Sequence, residues 1–235
     1  MPCCRWIFTG YYLGLICLLA ANHARGQQDF EPLFPTDGIP TGWTVRAWDD
    51  LGKKAEGNTA WTVKDGVLQP GQERGTWLMS EQKYSDFILE FEIKLTEVGN
   101  SGVALRAPLK DDPAFVALEF QIADQRYNPA ANEAEITGAL YRAQAPAKQV
   151  YQPTKWNRVR IELRGKKLTA TLNDEQIHDL DLGKMDQPTK RHDGSDAPSI
   201  KDRPLSGHIG FQHLSRNNEP VLIRHARIKV LAAEE

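Results

Sequence analysis

The feature that most constrains this chain is a strict two-residue alternation. In Phe87-Ile-Leu-Glu-Phe-Glu-Ile-Lys-Leu95, residues 87, 89, 91, 93 and 95 are apolar, while Glu90, Glu92 and Lys94 fall between them. Successive side chains of an extended strand point to opposite faces, so the pattern predicts a strand with one buried and one wet face. The alternation recurs in Val159-Arg-Ile-Glu-Leu163 and Leu168-Thr-Ala-Thr-Leu172. Gly165-Lys166 and Asn173-Asp174 supply turn chemistry beside them, which makes residues 156–182 an antiparallel meander. Shorter strands are expected at 61–63, 66–68, 76–79, 102–106, 115–123, 138–141, 207–212 and 221–230. No segment carries a convincing amphipathic helix. The expected fold is therefore all-β: two packed antiparallel sheets. Residues 107–114, 124–137, 142–155 and 183–206 are rich in Pro, Asp, Lys and Ala, and loops of that length in a compact domain tend to be functional or disordered.

The N-terminus points to export. Arg5 closes a short basic start, Trp6 to Ala21 is almost wholly apolar, and Ala24-Arg25-Gly26 places small residues where a signal peptidase reads. Residues 1–26 are expected to be a cleaved leader, 27–40 an N-terminal linker or edge extension, and 41–232 one domain. The apolar run is shorter than the ~20 residues needed to span a bilayer, so no membrane attachment is expected after cleavage. All three cysteines, Cys3, Cys4 and Cys17, lie in the leader. The mature chain would then have no disulfide, thiolate metal site or cysteine nucleophile, and its core alone must stabilise it. Lys and Arg total 29 against 31 Asp and Glu, and cleavage removes two of the basic residues. That balance disfavours nucleic acid or an anionic surface as partner and favours a neutral ligand.

Three segments, taken in order, carry a family resemblance. They are Asn100-Ser-Gly-Val-Ala-Leu-Arg106, then Glu119-Phe-Gln-Ile-Ala-Asp124 with Thr137-Gly-Ala-Leu-Tyr141, then Gly207-His-Ile-Gly-Phe-Gln212 with Ile223-Arg224. Trp61-Thr-Val-Lys-Asp-Gly-Val-Leu68, Trp156-Asn157 and Leu172-Asn173 support them. The combination resembles the 3-keto-disaccharide hydrolase family. The resemblance implies a concanavalin A-like jelly roll with a carbohydrate cleft on one sheet, and a small carbohydrate as the ligand. Alternation agrees, since Glu119 and Gln121 share one strand face, ~7 Å apart, while Phe120 and Ile122 point the other way. On the same reasoning Arg106 shares a face with Gly102 and Ala104, with a structural ion pair to Glu119 as the bland alternative.

A ketone at carbon 3 of a glucoside acidifies the proton on carbon 2, so cleavage proceeds by elimination and then hydration. Such an enzyme needs a base, an acid for the leaving oxygen and a donor for the enolate oxygen, but no covalent nucleophile. Carried onto this chain, the resemblance implies Glu119, Asp124 and His213 as proton-transfer candidates and Arg106 as the electrophilic partner. Gln121, Tyr141, Gln212, Arg224 and Asn100 become substrate-binding candidates. Two departures stand out. His213 follows Gln212 directly, where the family often places His or Glu two positions after the glutamine, and Ile223-Arg-His-Ala226 keeps only the arginine of a Phe-Arg-Asn-Ile pattern. Asp124 also breaks parity with Glu119 and Gln121; a bulge, or a turn-opening role at the strand's end, would account for it.

Alternatives were few. A retaining glycosidase of the Glu-x-Asp-x-x-Glu type is disfavoured, because Gln121 stands at the middle acid and Asp124 at the last. A lectin-like carbohydrate-binding module remains the rival. The histidines form no compact ligand motif, and His192-Asp193-Gly194-Ser195-Asp196 reads as a solvated turn. No cofactor is called for; only a divalent ion gathered from residues distant in sequence stays open. Trp61 and Trp156 read as core, and Trp48 and Trp77 as candidates for sugar stacking.

Overall fold

A computed structural model describes Met1, residues 29–217 and residues 219–232. The expected leader, residues 1–26, and its expected cleavage site lie outside the described residues apart from Met1. In chain order the strands are β1 (Glu31–Pro32), β2 (Trp43–Ala47), β3 (Thr62–Lys64), β4 (Val67–Gln69), β5 (Thr76–Tyr84), β6 (Phe87–Lys94), β7 (Asn100–Ala107), β8 (Leu118–Ala123), β9 (Asn157–Arg164), β10 (Lys167–Leu172), β11 (Glu175–Asp181), β12 (Thr189–Lys190), β13 (Asp196–Ala197), β14 (Gly207–His213) and β15 (Leu222–Val230). A short helix, α1 (Pro113–Val116), precedes β8.

Two antiparallel sheets pack as a jelly-roll sandwich. The larger runs β11-β10-β9-β6-β15-β4-β3 with β1 paired to β15, and the smaller runs β2-β5-β14-β7-β8. Because β1 adds to the sheet and Gly38 bridges Val63, residues 29–40 belong to the sandwich rather than tethering it. The alternation of β6 explains its position. Phe87, Leu89, Phe91 and Ile93 are buried in the core between the sheets, while Glu90 and Glu92 face outward. There the register sets Glu90 against Arg160 and Arg227, and Glu92 against Arg158 and Arg224. Arg160 and Arg224 close ion pairs of 2.8 and 2.7 Å with those glutamates. The meander forms as the sequence indicates: Asn173 and Asp174 both adopt positive φ, 51° and 67°, in the two-residue turn from β10 to β11.

Several expectations shift. Residues 115–117 are not strand, since α1 occupies 113–116 and β8 starts at Leu118. Residues 138–141 form no regular strand; they run along the free edge of β8 through Gln121 N to Ala139 O, Gly138 N to Gln121 O and Tyr141 N to Glu119 O. Strand β2 is an addition to the expected set: Trp43-Thr-Val-Arg-Ala does alternate apolar with polar, but over only five residues, all of them half-buried.

The most consequential departure is in β7. Ala104 pairs with Gly210 and Ala107 with His208, which leaves Leu105 and Arg106 opposite Ile209 alone. This bulge, with φ of +56° at Arg106, reverses the alternation from that residue onward. The fully buried Arg106 side chain donates to Ser85 O, Gly165 O and Asp86 Oδ1 at 2.6, 2.6 and 2.9 Å. It therefore ties the β5–β6 connection between the sheets and the β9–β10 turn of the larger sheet to β7, and takes no part in a cleft.

Candidate functional site

The face of the smaller sheet turned away from the core forms the floor of a hollow of about 500 Å³. On β8, Phe120 and Ile122 fill the core, so Glu119, Gln121 and Ala123 face the hollow, joined by Gln212 from β14 and Asn100 at the start of β7. Gly102 lies opposite Gln121 and Ala104 opposite Glu119. A Cβ on Gly102 would stand 2.0 Å from Glu119 Oε1, so the absent side chain is what leaves room for this carboxyl group. The loops read as functional build the walls. Asp112 and Ala114 come from the 107–117 segment, Tyr127 and Glu135 from 124–137, and Tyr141 from the strip bound to the edge of β8. His192 arrives on the β12–β13 hairpin, where it meets the rings of Phe115 and Tyr141 at 5.2 and 6.2 Å. Elsewhere on the rim Arg74 donates to Tyr127 Oη and Leu214 O, next to Trp48, which is 38 % exposed.

Four carboxyl groups line this hollow, and they differ in their partners. Asp124, just beyond the end of β8, accepts from Arg126 Nε and Nη2 at 2.8 and 2.9 Å, from the Arg126 backbone and from Tyr151 Oη. Burial pushes its pKa up, but those bonds outweigh it and hold the group below the ordinary carboxylate range. It opens the turn after β8, as its parity allowed, and is too firmly ionised to trade protons. Glu135 is likewise taken, by Arg142 Nε at 2.7 Å. Glu119 is the opposite case. It is 4 % exposed, and among the described residues nothing donates a hydrogen bond to its carboxyl group. Burial, then the charge of Asp112, raise its pKa well above normal against the pull of Arg203, which favours the protonated form.

Asp112 was hidden in a loop by sequence. It caps α1, accepting from Ala114 N at 3.0 Å, and burial raises it to about 6 despite that bond and Arg191. Buried Arg203 braces the segment by donating to Ala114 O, Ala117 O and Thr189 Oγ1. Tyr141 is raised by burial and by Glu119, so its hydroxyl stays protonated. Gln121 Oε1 accepts from Ile122 N at 2.9 Å, which fixes the amide on the floor.

The sequence-derived candidates thus separate. Glu119, Gln121, Asp124, Tyr141, Gln212 and Asn100 surround one hollow. Arg106, His213 and Arg224 lie elsewhere. His213 shares the inward side of β14 with Phe211, is 1 % exposed, and leaves Nδ1 without a hydrogen-bond partner. Burial and nearby Arg74 lower its pKa to about 4, so its ring stays neutral away from the hollow. Arg224 belongs to the outward face of the larger sheet, 4.1 Å above the Trp156 ring, which is thereby a surface group rather than core. A larger hollow of about 770 Å³ covers that face, but Arg158, Arg160, Arg224 and Arg227 are each paired with Asp174, Glu90 or Glu92. Trp77 is sealed against Leu51, Met79 and Ala104, leaving Trp48 as the aromatic at the hollow. Among the described residues no cluster of three or more His, Cys, Asp or Glu is arranged to hold a metal, and no helix is long and apolar enough to cross a membrane.

Fold and site together define a jelly-roll sandwich domain with a polar, carboxyl-lined hollow on its smaller sheet. Residues 29–229 match the model of the 3-keto-alpha-glucoside-1,2-lyase-like domain, and the chain belongs to that family. Among solved structures it is similar to two proteins from Parabacteroides distasonis ATCC 8503, each given the provisional name glycosyl hydrolase. The first is 25% identical with a TM-score of 0.69, covering 86% of this chain and all of that one. The second is 22% identical with a TM-score of 0.68, covering 86% and 94%. A comparison with curated proteins gives no match.

Proposed function

We propose that the hollow binds a glycoside oxidised at carbon 3 and cleaves it by elimination followed by hydration, and that the protein does so outside the cytoplasm, as its apolar leader implies. The observation that carries this reading is Glu119, a buried carboxyl group with no hydrogen-bond partner among the described residues, its pKa raised by burial, and open to a polar hollow. A carboxylic acid that holds its proton at neutral pH is suited to hand it to a departing alkoxide. Around it, Gln121, Gln212, Asn100 and Tyr141 offer amide and hydroxyl groups that match sugar hydroxyls. Membership of the 3-keto-alpha-glucoside-1,2-lyase-like family and likeness to a protein provisionally named a glycosyl hydrolase support the substrate class. The carbonyl at carbon 3 supplies the acidity that an ordinary glycoside lacks. After a base takes the proton from carbon 2, the bond from carbon 1 to the leaving oxygen breaks, Glu119 protonates that oxygen, and water adds to the enone.

The test is to incubate the protein with a 3-keto-glucoside and with its unoxidised parent while following enone absorbance and free sugar. Cleavage of the ketone alone is expected, with Glu119→Gln losing on the order of 10²–10⁴ in turnover while keeping most of its affinity. Cleavage of the parent but not the ketone would refute the reaction. Glu119→Gln altering affinity alone would mark a binding module instead.

A further inference from the structure

The reaction proposed above requires a base as well as an acid, and the one carboxyl group of Glu119 cannot be both in the same step. We infer that Asp112 is the catalytic base that takes the proton from carbon 2, opposed to Glu119 as the acid. This rests on the proposed function and adds to it a residue that no sequence pattern singled out.

Geometry selects Asp112 by elimination. Of the four carboxyl groups around the hollow, Asp124 and Glu135 are each hydrogen-bonded to an arginine, whereas Asp112 and Glu119 have no such bond. Asp112 offers Oδ1 to Ala114 N, and Oδ2 makes no hydrogen bond among the described residues, so a lone pair is free to receive a proton. The carboxylate is also well mounted. It is the N-cap of α1, Pro113 follows at the first helical position, and Arg203 grips Ala114 O and Ala117 O from behind. The unpartnered Glu119 side chain, 4 % exposed and facing the same space, is the independent sign that this hollow receives a ligand.

The charges facing the pair set their protonation states apart. Burial and Asp49 push Asp112 up, whereas the Ala114 amide and Arg191 pull it down, to about 6. Glu119 feels burial, Asp112 and the counteracting Arg203. Tyr141 borders both and stays protonated, with Arg142 and Glu135 beyond it. With Asp112 at about 6 and Glu119 pushed well above the ordinary carboxylate range, neutral pH favours an ionised Asp112, and burial favours the acid form of Glu119, the division of labour that acid–base chemistry demands. In the elimination, Asp112 Oδ2 gains the carbon 2 proton, the C–H electrons form the carbon 1–carbon 2 double bond by way of the enolate, and the leaving oxygen departs with the proton of Glu119. In the hydration, Glu119 takes a proton from water as oxygen bonds to carbon 1, and Asp112 returns its proton to carbon 2. Both groups end as they began, with no redox change.

Two probes separate the roles. Methyl 3-keto-α-glucoside in D2O, followed by NMR, reports hydrogen exchange at carbon 2. The 4-nitrophenyl 3-keto-glucoside carries a leaving group that needs little acid assistance. Asp112→Asn and Asp112→Ser both keep a side chain able to cap α1, so both should fold, as their melting curves will show. Each is expected to lose carbon 2 exchange by about 100-fold or more and to lose cleavage of the nitrophenyl substrate equally. Glu119→Gln should keep exchange and most nitrophenyl cleavage while failing on the methyl glycoside. For the wild type, kcat/KM should rise with pH through about 6 as Asp112 ionises, and residual activity in Asp112→Asn should lack that limb. Folded Asp112 variants that exchange at the wild-type rate overturn the assignment and leave the proposed function standing, as does loss of exchange in His192→Gln alone. A wild type that neither exchanges nor cleaves either ketone overturns both.

Discussion

Gly102→Ala should separate the fold from its chemistry. Its methyl group would lie 2.0 Å from Glu119 Oε1, 2.9 Å from Cδ and 3.1 Å from Cγ, so Oε1 must move by about 1.4 Å to regain ordinary contact. The displaced atoms are the end of one side chain that has no hydrogen bond to lose. Overpacking therefore costs at the low end of the usual ~1–3 kcal/mol. Alanine in place of a mid-strand glycine returns roughly 0.5–1 kcal/mol of chain entropy. Net stability in urea should change by less than about 1 kcal/mol. Turnover should not be spared, since a 1 Å misplacement of a catalytic group costs ~10²-fold, or about 2.7 kcal/mol of barrier. The assay is kcat/KM on a 3-keto-glucoside with an ordinary alcohol leaving group, measured beside urea unfolding. Because the damage would act through Glu119, adding Gly102→Ala to Glu119→Gln should lower activity little further. Wild-type turnover in the single variant, or full additivity in the double, would refute the link between the bare floor and the acid.

Two further outcomes concern groups that sequence placed in the site and structure did not. His213 stays neutral in the fold down to about pH 4, whereas the unfolded chain protonates near 6.5. Between those values the unfolded state binds more protons, so stability is lost as pH falls from about 6.5 to about 4, by about 3 kcal/mol in all, and His213→Leu should flatten this part of a pH series of urea melts. Arg106→Ala removes the ion-pair partner of Asp86, which keeps only the Gly165 amide, and strips the guanidinium donors from two turn carbonyls; it should cost about 3 kcal/mol in unfolding while the folded protein keeps wild-type sugar affinity by calorimetry.

How far the sequence could be read depended on whether local alternation survived into the fold. It survives in β6, β9, β10 and β8, so the core rows and the outward pair Glu119 and Gln121 were legible. It fails at Arg106, where one extra residue opposite Ile209 turns the guanidinium inward, and no residue type there announces a bulge. His213 was readable in principle. Phe211 and Gln212 already assign the two faces of β14, and parity puts His213 with Phe211. Asp112 and His192 were not, because a loop's Asp or His acquires meaning only from what folds against it, and Arg203 reaches α1 from 89 positions away in the chain.

The strip from Gly138 to Tyr141 has a role beyond presenting a phenol. By hydrogen-bonding along β8 it covers what would otherwise be the outermost row of amides and carbonyls of the smaller sheet. An uncovered row of this kind invites a second molecule to add its own strand. The same strip consequently covers a sheet edge and, through Tyr141, lines the hollow. A variant selected there for a different sugar would risk solubility, so drift in ligand preference should be freer through the β12–β13 hairpin, which guards no such border.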